Sequence, residues 1–125
     1  MLEVLTGNFN NERDKYRGWV VGNFIDKASP FHTEDFEIKW IKVAKGFRKE
    51  NLGPETKAKS LAILISGKYQ ISLLTTDQKF LLEKEGDYLF YQPTVPHRAE
   101  AFEDTLMIAI RWPSLPHDQQ PQPVQ

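Results

Sequence analysis

Three histidines, His32, His97 and His117, are the side chains of this chain whose chemistry best suits proton transfer or metal ligation at neutral pH. There is no cysteine, which removes thiolate metal sites, cysteine nucleophiles and disulfides together. His32 follows Pro30-Phe31 in a turn and His117 sits in a proline-rich end, so both read as solvated. His97 differs. It follows Pro93-Thr94-Val95-Pro96 at the mouth of a predicted strand pair, and a histidine fixed by neighbouring prolines is suited to ligate a metal or carry a proton. A partly buried histidine bonded to backbone accounts for the same residue equally well. Arg111 adds a rigid guanidinium fork that matches an anionic ligand. Phosphate loops, dinucleotide fingerprints, serine elbows and paired metal-histidine helices are absent, which counts against nucleotide hydrolysis and zinc-peptidase chemistry.

The elements that must position these residues read as strands. Trp19-Val20-Val21 and Phe24-Ile25 raise the β-branched and aromatic content, and Pro30 closes that segment, predicting a strand around 18–26. From Asp35 the period is two: Phe36, Ile38 and Trp40 share one face, and Glu37, Lys39 and Ile41 the other. Gly46 ends that strand. Residues 47–60, charged and broken by Gly53-Pro54, read as an exposed loop, and the mixed cluster Arg48-Lys49-Glu50 as a solvated turn without function. Lys39, Lys42, Lys45 and Arg48 are spread over a strand and its loop, so no single anion-binding surface is expected from them. Leu61–Ile65, Tyr69–Leu74, Phe80–Leu82, Tyr88–Tyr91 and Leu106–Ile110 continue the series, divided by Ser66-Gly67, Asp77-Gln78, Glu85-Gly86-Asp87, the prolines at 93 and 96, and Glu103-Asp104. Short strands at short spacing predict an all-β barrel or sandwich.

Composition bounds the rest. The 125 residues, 40% hydrophobic and 26% charged, describe one globular domain, expected as an irregular arm over 1–17, a barrel over 18–112 and a disordered Pro/Gln-rich tail over 113–125. Sixteen basic against seventeen acidic residues leave a formal charge of -1, too little positive field to hold a nucleic acid by counterion release. No apolar run approaches the roughly 20 residues of a membrane span, and the N-terminus lacks a signal pattern, so a cytoplasmic protein is expected.

The segment Gly86-Asp87-Tyr88-Leu89-Phe90-Tyr91-Gln92-Pro93-Thr94-Val95-Pro96-His97 resembles the second sequence motif of the cupins, with Gly86 and His97 in register. Gln92 stands at the motif's proline, Thr94 at its second glycine and Ala101 at its asparagine. Gly46 and Gly67 are similar to the two ends of the first cupin motif, which puts Ser60 at its glutamate and Gly53 and Glu55, or Pro54 and Thr56, at its two histidines. Ile108–Ser114 and Glu37-Ile38-Lys39-Trp40 are also similar to small uncharacterised bacterial cupins that lack the first-motif histidines. The resemblance covers roughly residues 35–112 and implies a single-domain double-stranded β-helix, the jelly-roll barrel. Cupins commonly hold a divalent metal with three histidines and a glutamate. Here only His97 remains, with Glu55 as the sole carboxylate substitute, so no cofactor is expected and any metal set is incomplete.

A barrel mouth still offers a pocket. If Ser60 replaces an inward-facing glutamate, as the resemblance implies, Ser60, Ala62 and Leu64 line it together with His97 and Ala99. Trp40, Tyr88, Phe90 and Trp112 are candidates for an apolar wall, and Arg111 for an anion partner, although packing explains most of the aromatics better. Three functions compete: a metal-free, small-molecule-binding cupin, a cupin-type isomerase, epimerase or oxygenase with His97 as general base or metal ligand, and a purely structural dimer. A homodimer is expected, with Trp19–Phe24 as an edge that adds to a second sheet.

Overall fold

The computed structural model describes residues 3–51, 57–93 and 95–116. A one-turn helix α1 (Phe9–Glu12) and a 3-10 turn (Arg13–Tyr16) precede nine strands: β1 (Trp19–Val21), β2 (Glu37–Val43), β3 (Arg48–Asn51), β4 (Lys59–Ser66), β5 (Tyr69–Leu73), β6 (Lys79–Leu82), β7 (Tyr88–Tyr91), β8 (His97–Ala101) and β9 (Thr105–Trp112). They form two antiparallel sheets, a five-stranded one in the order β1-β2-β9-β4-β7 and a four-stranded one in the order β3-β8-β5-β6. The non-consecutive neighbours are the crossovers of a jelly roll, which closes two sheets over one interior.

Three segments differ from the sequence reading. The N-terminal arm begins with α1 because Asn8 caps it: its side chain accepts from the Asn10 N–H, while its own N–H donates to Glu12 Oε2 at 2.9 Å. The strand expected over 18–26 is only three residues long, since the chain turns at Gly22, whose N–H donates to the Phe31 carbonyl. The charged Arg48–Asn51 stretch is a strand rather than a loop, paired with β8 so that Arg48 meets Glu100 and Glu50 meets Arg98. These outward pairs, at 3.3 Å and 2.8 Å, are exposed and worth little individually, but they fix a register that turns Lys49 inward.

One end of the barrel is filled. Leu64, Ile71 and Met107, each about 1% exposed, pack with Val43, Tyr69 and Leu82, and each such aliphatic side chain contributes about 1.5–3 kcal/mol by leaving water. The β4–β5 turn closes under this end at Gly67, where φ is +106° and a Cβ would lie 2.5 Å from the Asp104 carbonyl oxygen. Only glycine fits there without moving backbone. A second apolar group, Trp19, Val20, Val21 and Ile25, lies at the β1 edge, with Phe24 packed edge-on against Trp19. No helix among the described residues is long and apolar enough to cross a membrane.

Candidate functional site

The other end of the interior is polar. Register places Glu37 beside Arg111, Arg111 beside Ser60 and Ser60 beside Tyr91, one row across four strands of the larger sheet. Glu37 is fully buried, and a lone carboxylate there would be costly. It is satisfied from both sides: Arg111 Nε and Nη2 donate to Oε2 at 2.7 and 2.6 Å, and the Ser114 hydroxyl donates to Oε1 at 2.8 Å. Ser114, which composition assigns to the tail, is itself buried and accepts from the Asn23 N–H and Nδ2 at 2.9 and 2.7 Å.

The next inward residue on β2 is Lys39, only 9% exposed. Among the described residues its amine has no carboxylate or hydrogen-bond partner. Burial, with the charges of Lys49 and Arg111 nearby, pushes it down to about 6 from the ordinary lysine value of 10.5, so it is largely uncharged at pH 7. Its contact with the Trp19 ring, 5.6 Å from the centroid, is then apolar packing, whereas Arg111 at 4.7 Å makes the true cation–π contact. Lys49, half-buried on β3, is pushed down to about 8 by burial and by Arg111, and remains mostly charged. The polar end of the interior therefore carries two cations and a neutral amine.

His97 closes this end from the smaller sheet. Its ring stacks on Tyr91 with centroids 4.4 Å apart, and its Nδ1 lies 2.8 Å from the Val95 carbonyl. A carbonyl only accepts, so Nδ1 carries the proton and Nε2 keeps its lone pair. Burial holds His97 below the usual histidine value, with Lys49 adding to the effect against the Val95 hydrogen bond. Burial, and then neighbouring Tyr69, raise the Tyr91 phenol, which stays protonated.

Alternation along the strands settles where each sequence-nominated residue faces. Ser60, Ala62, Leu64, His97, Ala99 and Arg111 point into the interior, Leu64 and Ala99 within the filled region. Trp40, Tyr88 and Phe90 do not line it. Tyr88 is 67% and Phe90 40% exposed, Phe90 meets Trp112 on the outer surface, and Trp40 Nε1 donates to Asn10 Oδ1 beneath the N-terminal arm. These aromatics share strand parity with outward residues, and the wide five-stranded sheet keeps its apolar side outside. His32 is half-buried rather than solvated, with Nδ1 2.9 Å from the Ile25 carbonyl. Glu55, the other first-motif positions 53, 54 and 56, Thr94, and His117 with the rest of the tail beyond Pro116 lie outside the described residues.

Sequence reading missed Glu37, Lys39, Lys49 and Tyr91. The signal was present in the alternation of 36–41, but it offered two faces, and the charged one is the inner. Among the described residues no group of three His, Cys, Asp or Glu side chains is placed to hold a metal ion, and His97 is the only imidazole in this region. A separate cleft of about 400 Å³ lies outside the barrel, between α1 and the 20–31 segment, bordered by Phe9, Tyr16 and Phe31; none of the nominated residues lines it.

No family model and no curated protein sequence matches the chain. Solved structures do. An RmlC-like cupin from Shewanella frigidimarina NCIMB 400 superposes with a TM-score of 0.55 at 17% identity, covering 65% of this chain and 68% of that one. KdgF from Halomonas sp. gives 0.56 at 23% identity, over 66% and 73% of the two chains. The DMSP lyase DddQ from Ruegeria pomeroyi DSS-3 gives 0.56 at 15% identity, over 70% of this chain and 43% of the lyase. At these identities the shared property is the fold.

Proposed function

We propose that this chain, which has the cupin fold, binds a small anionic molecule in the polar end of its barrel and does so without a resident metal ion. One observation carries the reading: the charge inside is unbalanced. Burial disfavours a charge on Lys39, and the nearby charges of Lys49 and Arg111 add to that effect, while Glu37, the only buried carboxylate among the described residues, is bound to Arg111. A carboxylate or phosphate entering beside Lys49 would relieve that repulsion, and in a site of low dielectric the gain exceeds that of a surface pair. Room for it is consistent with the inward residues Ser60, Ala62 and Ala109, which remain partly exposed at the centre of the sheet although Leu64 and Met107 on the same strands are fully covered.

Thermal unfolding in the presence of phosphate, small mono- and dicarboxylates and neutral sugars tests this. The melting temperature should rise with anion concentration, as binding to the folded state alone requires, and Lys49→Met should remove most of the rise. Equal stabilisation by neutral sugars would overturn the reading. A catalytic alternative is favoured by one feature: His97 Nε2 is an unprotonated acceptor on the inner face, suited to act as a general base. In that case a compound that binds would be turned over by the native chain and not by His97→Ala.

A further inference from the structure

Lys39 is unlike the other lysines of the chain. Its amine is buried, has no ion-pair or hydrogen-bond partner among the described residues, and lies 5.6 Å from the centroid of the Trp19 ring. Register sets Lys39 beside Ala109 and Ala109 beside Ala62, all three inward, and both alanines keep accessible surface although they stand on interior strands of the sheet. The neighbours of Lys39 along this face are thus methyl groups rather than a carboxylate, and the Trp19 ring lies against its other side. Lys49 and Arg111 face the same region, with Glu37 already engaged and His97 at the far side.

We propose that Lys39 forms an imine with small oxo acids, its amine bonding to the carbonyl carbon while Lys49 holds the carboxylate. The proposal rests on the anion-binding reading above. In this step a C–N bond forms and the C–O bond breaks; the carbonyl oxygen departs as water with the two amine hydrogens, so neither oxidant nor reductant is required. A desolvated lysine beside a second cation is an established way to keep an amine unprotonated and nucleophilic at neutral pH. The arrangement also divides labour between the two lysines. Lys49, the more basic, attracts the anion, and Lys39, the less basic, reacts with its carbonyl.

The test is reductive trapping. The full chain is incubated at pH 7 with pyruvate and cyanoborohydride, and adducts are mapped by peptide mass spectrometry. Lys39 should be modified about tenfold or more faster than the exposed Lys42 and Lys45, because an ordinary lysine is unprotonated only about once in three thousand molecules at this pH. Lys39→Met should leave no fast adduct, and Lys49→Met should slow labelling of Lys39 about tenfold by loss of the anion partner. Lactate, which has the carboxylate but no carbonyl, should protect Lys39 without forming an adduct. Labelling of Lys39 no faster than of Lys42, or a fast adduct at Lys49 instead, would overturn the proposal. If lactate and phosphate stabilise the fold while pyruvate leaves Lys39 unmodified, imine formation fails and anion binding stands; if neither anion stabilises it, both fail.

Discussion

Replacing Lys39 by methionine should stabilise the protein, in a manner that depends on pH. Methionine keeps the length and apolar stem of the side chain and removes the amine. In the unfolded chain Lys39 is protonated up to the ordinary value of 10.5, whereas in the folded chain it loses its proton above about 6. Between these two values the unfolded state holds the extra proton, so raising the pH favours the folded state, by about 1.4 kcal/mol per pH unit for one proton. At pH 7 the deficit is three to four units, an upper limit of about 5 kcal/mol, and water reaching the amine in local openings lowers the realised cost to about 2–4 kcal/mol. Urea unfolding at pH 6.5, 8 and 9.5 separates the effect from general packing changes. The native chain should gain roughly 2 kcal/mol relative to Lys39→Met between pH 6.5 and 8, and the variant should be the more stable of the two at pH 7. Parallel stability curves, or a variant less stable at pH 7, would refute the placement of an uncompensated amine inside the barrel.

Other consequences are as direct. Glu37→Gln should cost about 3–5 kcal/mol in chemical denaturation, because it leaves the Arg111 charge buried without its carboxylate; stability within experimental error of the native chain would show the pair to be dispensable. Protein purified without chelator or immobilised nickel should contain well under one divalent metal per chain, unchanged in His97→Ala, whereas near-stoichiometric metal lost in that variant would make His97 a ligand. The outer face of the larger sheet carries Ile38, Trp40, Leu61, Ile63, Ile108 and Ile110, all partly exposed, beside Tyr88 and Phe90, an apolar patch of the kind that marks a protein–protein contact. Sedimentation should accordingly find a homodimer that Ile110→Glu dissociates, and a native chain that sediments as a monomer at tens of micromolar would contradict it.

Much of the fold was legible because a strand announces itself locally. Turn residues such as Gly67 and the apolar runs at 61–65 and 106–110 locate β4 and β9 without knowledge of their partners, and Gly86 and His97 carry the barrel resemblance. β3 was not legible, since Arg48-Lys49-Glu50 has the composition of a turn and becomes a strand only because Arg98 and Glu100 lie opposite. Its inward-facing residue, Lys49, went unseen for the same reason.

The site divides in the same way. A period of two along residues 36–41 separates Glu37 and Lys39 from Ile38 and Trp40, and the sequence by itself determines that these two pairs face opposite directions. Which pair faces inward is not a local property. It depends on whether distant groups can satisfy a buried carboxylate, and here Arg111 and Ser114, more than seventy residues away, do so. The amphipathic rule, apolar inside and charged outside, therefore inverts on β2, and the aromatic residues chosen by that rule lie on the surface. Strand positions, turns and the pairing of faces belong to the sequence, because sterics and periodicity act between neighbours. The sign of each face, the depressed basicity of Lys39 and the charge imbalance of the interior belong to the tertiary structure, because desolvation and Coulomb interactions are set by what the fold brings within a few ångströms.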